Sequence, residues 1–191
     1  MFERFTPAAR GVVRGAFTEA ELTGSATVTD DHLLLALLDV EGTRTSFAFA
    51  SLGLAGRRAE VAAALADARR RGGLTRADTE ALAGIGIDVT EIVSKVEAAH
   101  GPGALAGAGR PKRWRPGSRP VFTRPAKDVL EKSLRIALGR GDREIRDDHV
   151  LLALAARPGV VADVLAERGA TYAALERAMF GTGPGTAAEA S

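Results

Sequence analysis

The chain has no cysteine among its 191 residues, which removes disulfides, thiol nucleophiles and thiolate metal sites together. Aromatic residues are scarce, with one Trp, one Tyr and seven Phe making up 5% of the sequence. No apolar run approaches the ~18 residues that a membrane-spanning helix needs; runs such as Leu33 to Leu38 and Val150 to Ala156 are far shorter. The opening MFERFTPAAR carries charge where a signal peptide needs an apolar core, so a cytoplasmic protein with no membrane partner is expected. An excess of charge of one sign is missing as well. The 26 Lys and Arg nearly balance the 24 Asp and Glu, leaving +2, which does not describe a generally basic surface for nucleic acid.

Catalytic and nucleotide-binding motifs are absent too. A phosphate-binding loop needs Gly immediately before Lys, and the lysines here follow Ser94, Pro111, Ala126 and Glu131. No Ser sits in a GxSxG elbow, and the histidines suggest no Ser-His-Asp arrangement. The chain therefore reads as non-catalytic and free of cofactors.

What the sequence does contain is a duplication. TDDHLLLALL begins at Thr29 and RDDHVLLALA at Arg146, 117 positions apart (146 − 29). The match extends without a gap from Phe5 and Phe122, pairing Thr6 with Thr123, Ala9 with Ala126, Val12 with Val129, Gly24 with Gly141 and Val28 with Ile145. With a slip of one residue it continues to Gly53 and Gly169.

Each copy reads as helices. Thr6 before Pro7 is an N-cap followed by a first-turn proline, and Val12, Val13, Ala16, Phe17 and Ala20 then share one face. Gly24 is placed to end that helix, and Thr29 to cap the next, with Asp30 and Asp31 in its first turn. A third helix fits Ser46 to Leu52, stopped by Gly53. In the second copy Thr123 caps, Asp147 and Asp148 start the next helix, and Pro158 opens another. Alternating strand patterns are absent, so the expected fold is all-α.

Between the copies lies an insert. Arg57 to Arg71 and Asp88 to Ala99 read as amphipathic helices, with a shorter one from Thr75 to Ala83. From Gly101 the composition shifts to GPGALAGAGRPKRWRPGSRP, which reads as a flexible linker. The domain plan is thus 1–100 for the first repeat plus insert, 101–120 for the basic linker, 121–180 for the second repeat and 181–191 for a disordered tail, the two repeats packing as one domain.

The opening MFERFT, the paired FT helix starts, the acid-acid-His-apolar runs and the LGL and RGA endings resemble the double-repeat N-terminal domain of the Clp AAA+ unfoldases, of the ClpC and ClpA type. The resemblance spans roughly Met1 to Leu54 and Val121 to Phe180. It implies two four-helix repeats related by a pseudo-twofold axis, with the helix from Asp88 as the fourth of the first repeat and Arg57 to Ala83 as an added segment. It also implies a role, since in that family the domain receives substrates and adaptors for an ATPase ring that feeds a protease chamber. The ATPase modules are not in this sequence, which reads as a stand-alone adaptor, competitor or decoy and as a monomer. The partners implied are protein substrates or adaptors of a ClpC-type ATPase, the ATPase itself, and cyclic peptides.

Two sets of site residues carry over. In relatives a Glu before the His belongs to a pocket for arginine phosphorylated on its guanidinium. Carried over by position, the first such pocket here takes Asp31 with Thr6 and the second Asp148 with Thr123, each acid one methylene shorter than the family's Glu. The plainer reading is that these acids simply favour the positive ends of their helices, worth roughly 0.3–1 kcal/mol each when exposed. The second set is an apolar surface for cyclic peptides and adaptors, at Phe2, Phe122, Lys127 and Glu131; the two Phe read equally well as core residues on the first helical turns.

His32 and His149 read as buried helix-start residues bonded to backbone. Consecutive helical side chains diverge by about 100°, so Asp-Asp-His does not converge on a metal ion. A different class of function, nucleic-acid or acidic-partner binding, would use Arg110, Lys112, Arg113, Arg115 and Arg119 around Trp114, although the same stretch reads more simply as a solvated linker.

Overall fold

The computed structural model describes residues 3–106 and 119–181. Phe2, most of the basic linker with Trp114, and the tail beyond Gly181 lie outside the described residues. The first repeat contributes α1 (Pro7–Leu22), α2 (Asp30–Leu38), α3 (Arg44–Ser51) and α4 (Arg58–Arg70), followed by α5 (Arg76–Gly84) and α6 (Val89–His100). The second contributes α7 (Arg124–Gly139), α8 (Asp147–Ala155), α9 (Val160–Ala166) and α10 (Tyr172–Phe180). The only strands among the described residues are β1 (Thr27–Val28) and β2 (Val121–Phe122), so the fold is all-α, as the periodicity requires.

Local chemistry sets the helix starts. The Thr6 and Thr123 hydroxyls accept from the Ala9 and Ala126 N–H groups at 3.3 and 3.4 Å, and a proline occupies the first turn of both helices, where its missing N–H costs nothing. At α2 the cap is reciprocal. Thr29 Oγ accepts from His32 N–H at 3.4 Å while His32 Nδ1 accepts from Thr29 N–H at 3.1 Å, so an imidazole takes the part that Glu or Gln usually plays in a capping box. In α8 only the histidine half is kept: His149 Nδ1 accepts from Arg146 N–H at 3.1 Å, and an arginine side chain has no acceptor to return.

The two repeats are interlocked rather than stacked. Thr6 N–H donates to the Ile145 carbonyl at 3.0 Å and Ile145 N–H to the Arg4 carbonyl at 2.7 Å, forming a parallel bridge between Phe5 and Ile145. By symmetry, Thr123 N–H donates to the Val28 carbonyl at 2.9 Å, and Val28 pairs with Phe122 in the parallel β1–β2 ladder. Each repeat's lead-in segment therefore pairs with the loop before the second helix of the other repeat.

The core follows the same symmetry. After their Asp-Asp-His first turns, α2 and α8 are apolar on every side and almost wholly buried, as central helices are. They pack against each other, with α1 over α2 and α7 over α8. At the outside, α4 of the first repeat packs on α9 of the second and α10 packs on α3.

This exchange corrects the expectation about the fourth helix. α4, not the helix from Asp88, occupies the place equivalent to α10, because Val61, Leu65 and Ala68 form an apolar stripe that is 0%, 2% and 5% exposed against the second repeat. The added segment is the α5–α6 pair. α5 buries no residue and α6 buries only Val89 and Val93.

α1 approaches α2 closely at Gly15, where an added Cβ would lie 2.9 Å from Ala36 Cβ. Gly15→Ala gains about 1 kcal/mol of helix propensity but forces a side chain into a rigid neighbour, an overpacking cost of about 1–3 kcal/mol. A net loss of about 1 kcal/mol is expected in urea denaturation, and Gly15→Ala combined with Ala36→Gly should remove the steric part of it.

Candidate binding sites at the repeat junction

The exchanged strands decide which site residues meet. Because Phe5 pairs with Ile145, Thr6 comes to lie beside the start of α8, and Thr123 comes beside β1 and the start of α2. The pairings expected from sequence are thereby crossed. Thr6 shares a cleft with Asp147 and Asp148, while Thr123 is bonded to Val28, two residues before Asp30. Local sequence could not show this, since the two copies offer nearly identical partners within and between repeats.

The Thr6 cleft encloses about 440 Å³ and is walled by Thr6, Pro7, Thr43, Arg44, Arg146 and Asp147 among others. Three helix N-termini converge on it, those of α1, α3 and α8. Their free N–H groups favour an anion. Asp148 is 1% exposed and already engaged: Arg146 Nε donates to it at 3.2 Å and Arg44 Nη1 lies at 3.9 Å. Asp147 is 5% exposed, and its Oδ2 has no hydrogen-bond partner. Thr6 accepts from Ala9, while its own hydroxyl proton finds no acceptor among the described residues. The cleft thus offers a spare hydroxyl donor and a half-exposed guanidinium on Arg44, while the unpartnered Asp147 oxygen is shut off from solvent.

The equivalent place in the first repeat is filled from within. Arg69, near the end of α4, grips Asp31 with both prongs of its guanidinium, Nε to Oδ2 at 3.1 Å and Nη2 to Oδ1 at 2.6 Å. Nη2 also donates to Asp30 Oδ1 at 3.1 Å, and Arg157 approaches the other Asp30 oxygen at 3.6 Å. Burial pushes the Asp30 carboxyl above its usual range, helped by the neighbouring Asp31 charge and opposed by Arg69. The hydrogen bond to Asp31 raises the pKa of Arg69 still further, more than burial lowers it. The Thr123 hydroxyl is spent as well, donating to the Val28 carbonyl at 3.2 Å.

The histidines belong to this architecture. His149 is fully buried, its Nε2 lies 3.0 Å from Asp142 Oδ2, and burial lowers its pKa. His32 is depressed for the same reason. No group of three or more potential metal-ligating acids and histidines is found among the described residues.

A separate groove lies along α7. Phe122, Lys127 and Glu131, expected together, do line one opening of about 250 Å³. Phe5, Leu130, Leu134 and Ile145 complete its walls. Phe5 and Ile145 were legible as the repeat mates of Phe122 and Val28. Phe122 is held from behind by Phe17, edge to face at 4.9 Å and 71°, a favoured aromatic geometry, and Lys127 and Glu131 stand exposed at the rim.

The family model for the Clp repeat (R) N-terminal domain matches residues 70–167 and 121–182, together more than half of the chain. Similar solved structures include the N-terminal domain of the caseinolytic protease associated chaperone ClpD from Arabidopsis thaliana, 18% identical with a TM-score of 0.52 over 95% of this chain and 98% of that one. The Hsp104 N-terminal domain from Candida albicans is 18% identical with a TM-score of 0.51 over 93% and 89%. A chain from a structural investigation of a malarial protein secretion system is 12% identical with a TM-score of 0.55 over 92% of each. At such identities the likeness is one of fold, and it agrees with the family match. The chain belongs to the Clp repeat N-terminal domain family, whose members serve as substrate- or adaptor-binding modules.

Proposed function

We propose that the chain is a non-catalytic receiving module of a Clp-type unfoldase system that takes an apolar segment of a protein substrate or adaptor into the α7 groove. The observation that carries this reading is the groove itself, about 250 Å³ with an aromatic and aliphatic wall and an exposed Lys127–Glu131 rim. Apolar concavity with a few polar groups at its edge suits a peptide hot spot. A cyclic peptide with an apolar face fits the same chemistry. The chain's own contribution is binding rather than unfolding, as an adaptor, a competitor or a decoy would supply. Fluorescence anisotropy with apolar peptides selected against the protein tests this. Leu134→Lys should weaken binding at least tenfold, about 1.4 kcal/mol, and unchanged affinity would remove the groove from the account.

A second reading, recognition of phosphorylated arginine, is favoured by the spare Thr6 hydroxyl and the helix N-termini at the cleft that Asp147 helps to wall. A carboxylate pairs with guanidinium nitrogens, and Thr6, Arg44 and the helix N-termini suit a phosphate. Asp147 rather than Asp148 then supplies the carboxylate. Calorimetric titration should show heat with phosphoarginine but not arginine, abolished by Asp147→Asn; equal heats with both ligands would contradict it.

A further inference from the structure

We propose that the tip of the α5–α6 hairpin is a second docking surface, which takes an amphipathic helix bearing lysine or arginine from a partner protein. It shares no lining residue with the α7 groove and stands independently of that reading. Ile85, Ile87 and Ile92, where α5 turns into α6, are 73%, 37% and 46% exposed. Aliphatic side chains grouped in this way on a surface mark a place of contact. The backbone beneath them is fixed. The Ile85 and Ile87 N–H groups both donate to the Leu82 carbonyl, at 3.2 and 2.9 Å, and Gly86 takes the positive φ of 86° that the turn requires. Beside it a concavity of about 430 Å³ opens between the two helices, lined by Thr79, Ala83, Gly86, Ile87, Asp88 and Thr90. The isoleucines are not spent on the core, since the two helices bury only Val89 and Val93. The pair is tied down elsewhere, by Arg70 to Glu97 at 3.2 Å and by the Arg76 N–H to Glu167 at 3.0 Å.

Charge selects the occupant. Residues 75–100 hold five acids against Arg76 and Lys95, a net −3 (2 − 5) with His neutral, on a chain whose total is +2. Both cations are engaged within their own helices, Arg76 with Glu80 at 2.7 Å and Lys95 with Glu91 at 2.6 Å. Among the described residues no lysine or arginine pairs with Asp78 or Asp88. Asp88, next to Ile87, uses Oδ1 to accept from the Thr90 and Glu91 N–H groups at 2.8 and 3.1 Å. Its remaining charge faces an exposed surface. Such a field repels phosphate, which disfavours nucleic acid and anionic lipid. It also disfavours a second copy of this chain, because a twofold contact sets each patch against its own likeness and opposes acid to acid. A helix with an aliphatic stripe flanked by basic residues satisfies the isoleucines and the carboxylates together.

The test is an anisotropy titration of the full chain carrying Leu134→Lys, which spoils the α7 groove. The probe is a synthetic helix with a leucine stripe flanked by lysines, and the control is the same helix with glutamates in their place. The lysine helix should bind and the glutamate helix should not. Ile85→Ser with Ile92→Ser should weaken binding by about tenfold or more, and because both side chains are exposed the melting temperature should be unchanged. Asp88→Asn, which keeps an acceptor at the N-cap, should weaken binding by about threefold, the scale of one exposed ion pair, and should reduce its sensitivity to salt.

Absence of binding, equal binding of the two helices, or affinity indifferent to the isoleucines overturns the proposal. Two further outcomes overturn it by naming another occupant. A dimer in sedimentation that Ile85→Ser with Ile92→Ser dissociates gives the surface to a second copy. A shift of Trp114 emission in that variant, with no peptide added, gives it to the chain's own basic linker.

Discussion

Leu151→Ala and Leu34→Ala will each lower the unfolding free energy by about 2–5 kcal/mol, and both will do so through a single transition. The two leucines are fully buried in α8 and α2, the helices at the centre of the fold. Truncation leaves a void in a region with no flexible surface to collapse into it, so the lost transfer energy and the cavity term add. The unity of the transition follows from the interlock. Phe5 pairs with Ile145 and Val28 with Phe122, while α4 lies on α9 and α10 on α3, so neither repeat can unfold without uncovering the other. In urea, with a slope of about 1–3 kcal/mol/M for a small protein, each midpoint should fall by about 1 M or more with the slope unchanged. Two separated transitions, with Leu34→Ala moving only one of them, would contradict the interlock.

That interlock marks the limit of what sequence could convey. The duplication, the capped helix starts at Thr6, Thr29 and Thr123, and the buried runs from Leu33 and Val150 were all legible, because each is a local pattern of residue type and spacing. Which copy pairs with which was not. Val28 and Ile145 are nearly the same residue in nearly the same context, so the choice between partners within and between repeats is made by packing alone. Hence Thr6 was matched with Asp31, whereas the structure seats it by Asp147. The Arg69 grip on Asp31 was equally hidden, as the two residues are 38 positions apart and an arginine among Arg69, Arg70 and Arg71 carries no mark of its destination. The fourth helix shows the same ambiguity. α4 and α6 are both amphipathic, and only the proximity of α9 distinguishes the stripe of Val61, Leu65 and Ala68 from that of Val89 and Val93.

Acidification should destabilise the protein below pH 6.5, with His32 and His149 as the cause. Both side chains accept a backbone N–H at Nδ1, at 3.1 Å in each case, which requires a neutral ring there; a proton on Nδ1 would face a second donor. Burial depresses both pKa values in the folded state, although Asp31, Glu19 and Asp30 around His32 and Asp148 and Asp142 around His149 pull the other way and Arg146 reinforces the depression at His149. The sign follows directly. As pH falls through the ordinary histidine value of 6.5, the unfolded chain takes up protons that the native state refuses, so stability is lost as pH drops and is regained above it. The slope reaches at most about 1.4 kcal/mol per pH unit for each histidine. Asp30 acts with the opposite sign: its raised pKa means that the native state binds its proton first, so acidification below the histidine window relieves an unfavourable charge. His32→Gln with His149→Gln keeps an acceptor at the capping position, since Gln serves there in ordinary capping boxes, but does not titrate. Urea denaturation of that double variant should therefore show a flattened profile between pH 6.5 and 5, and a profile as steep as wild type would assign the acid sensitivity to the carboxylates instead.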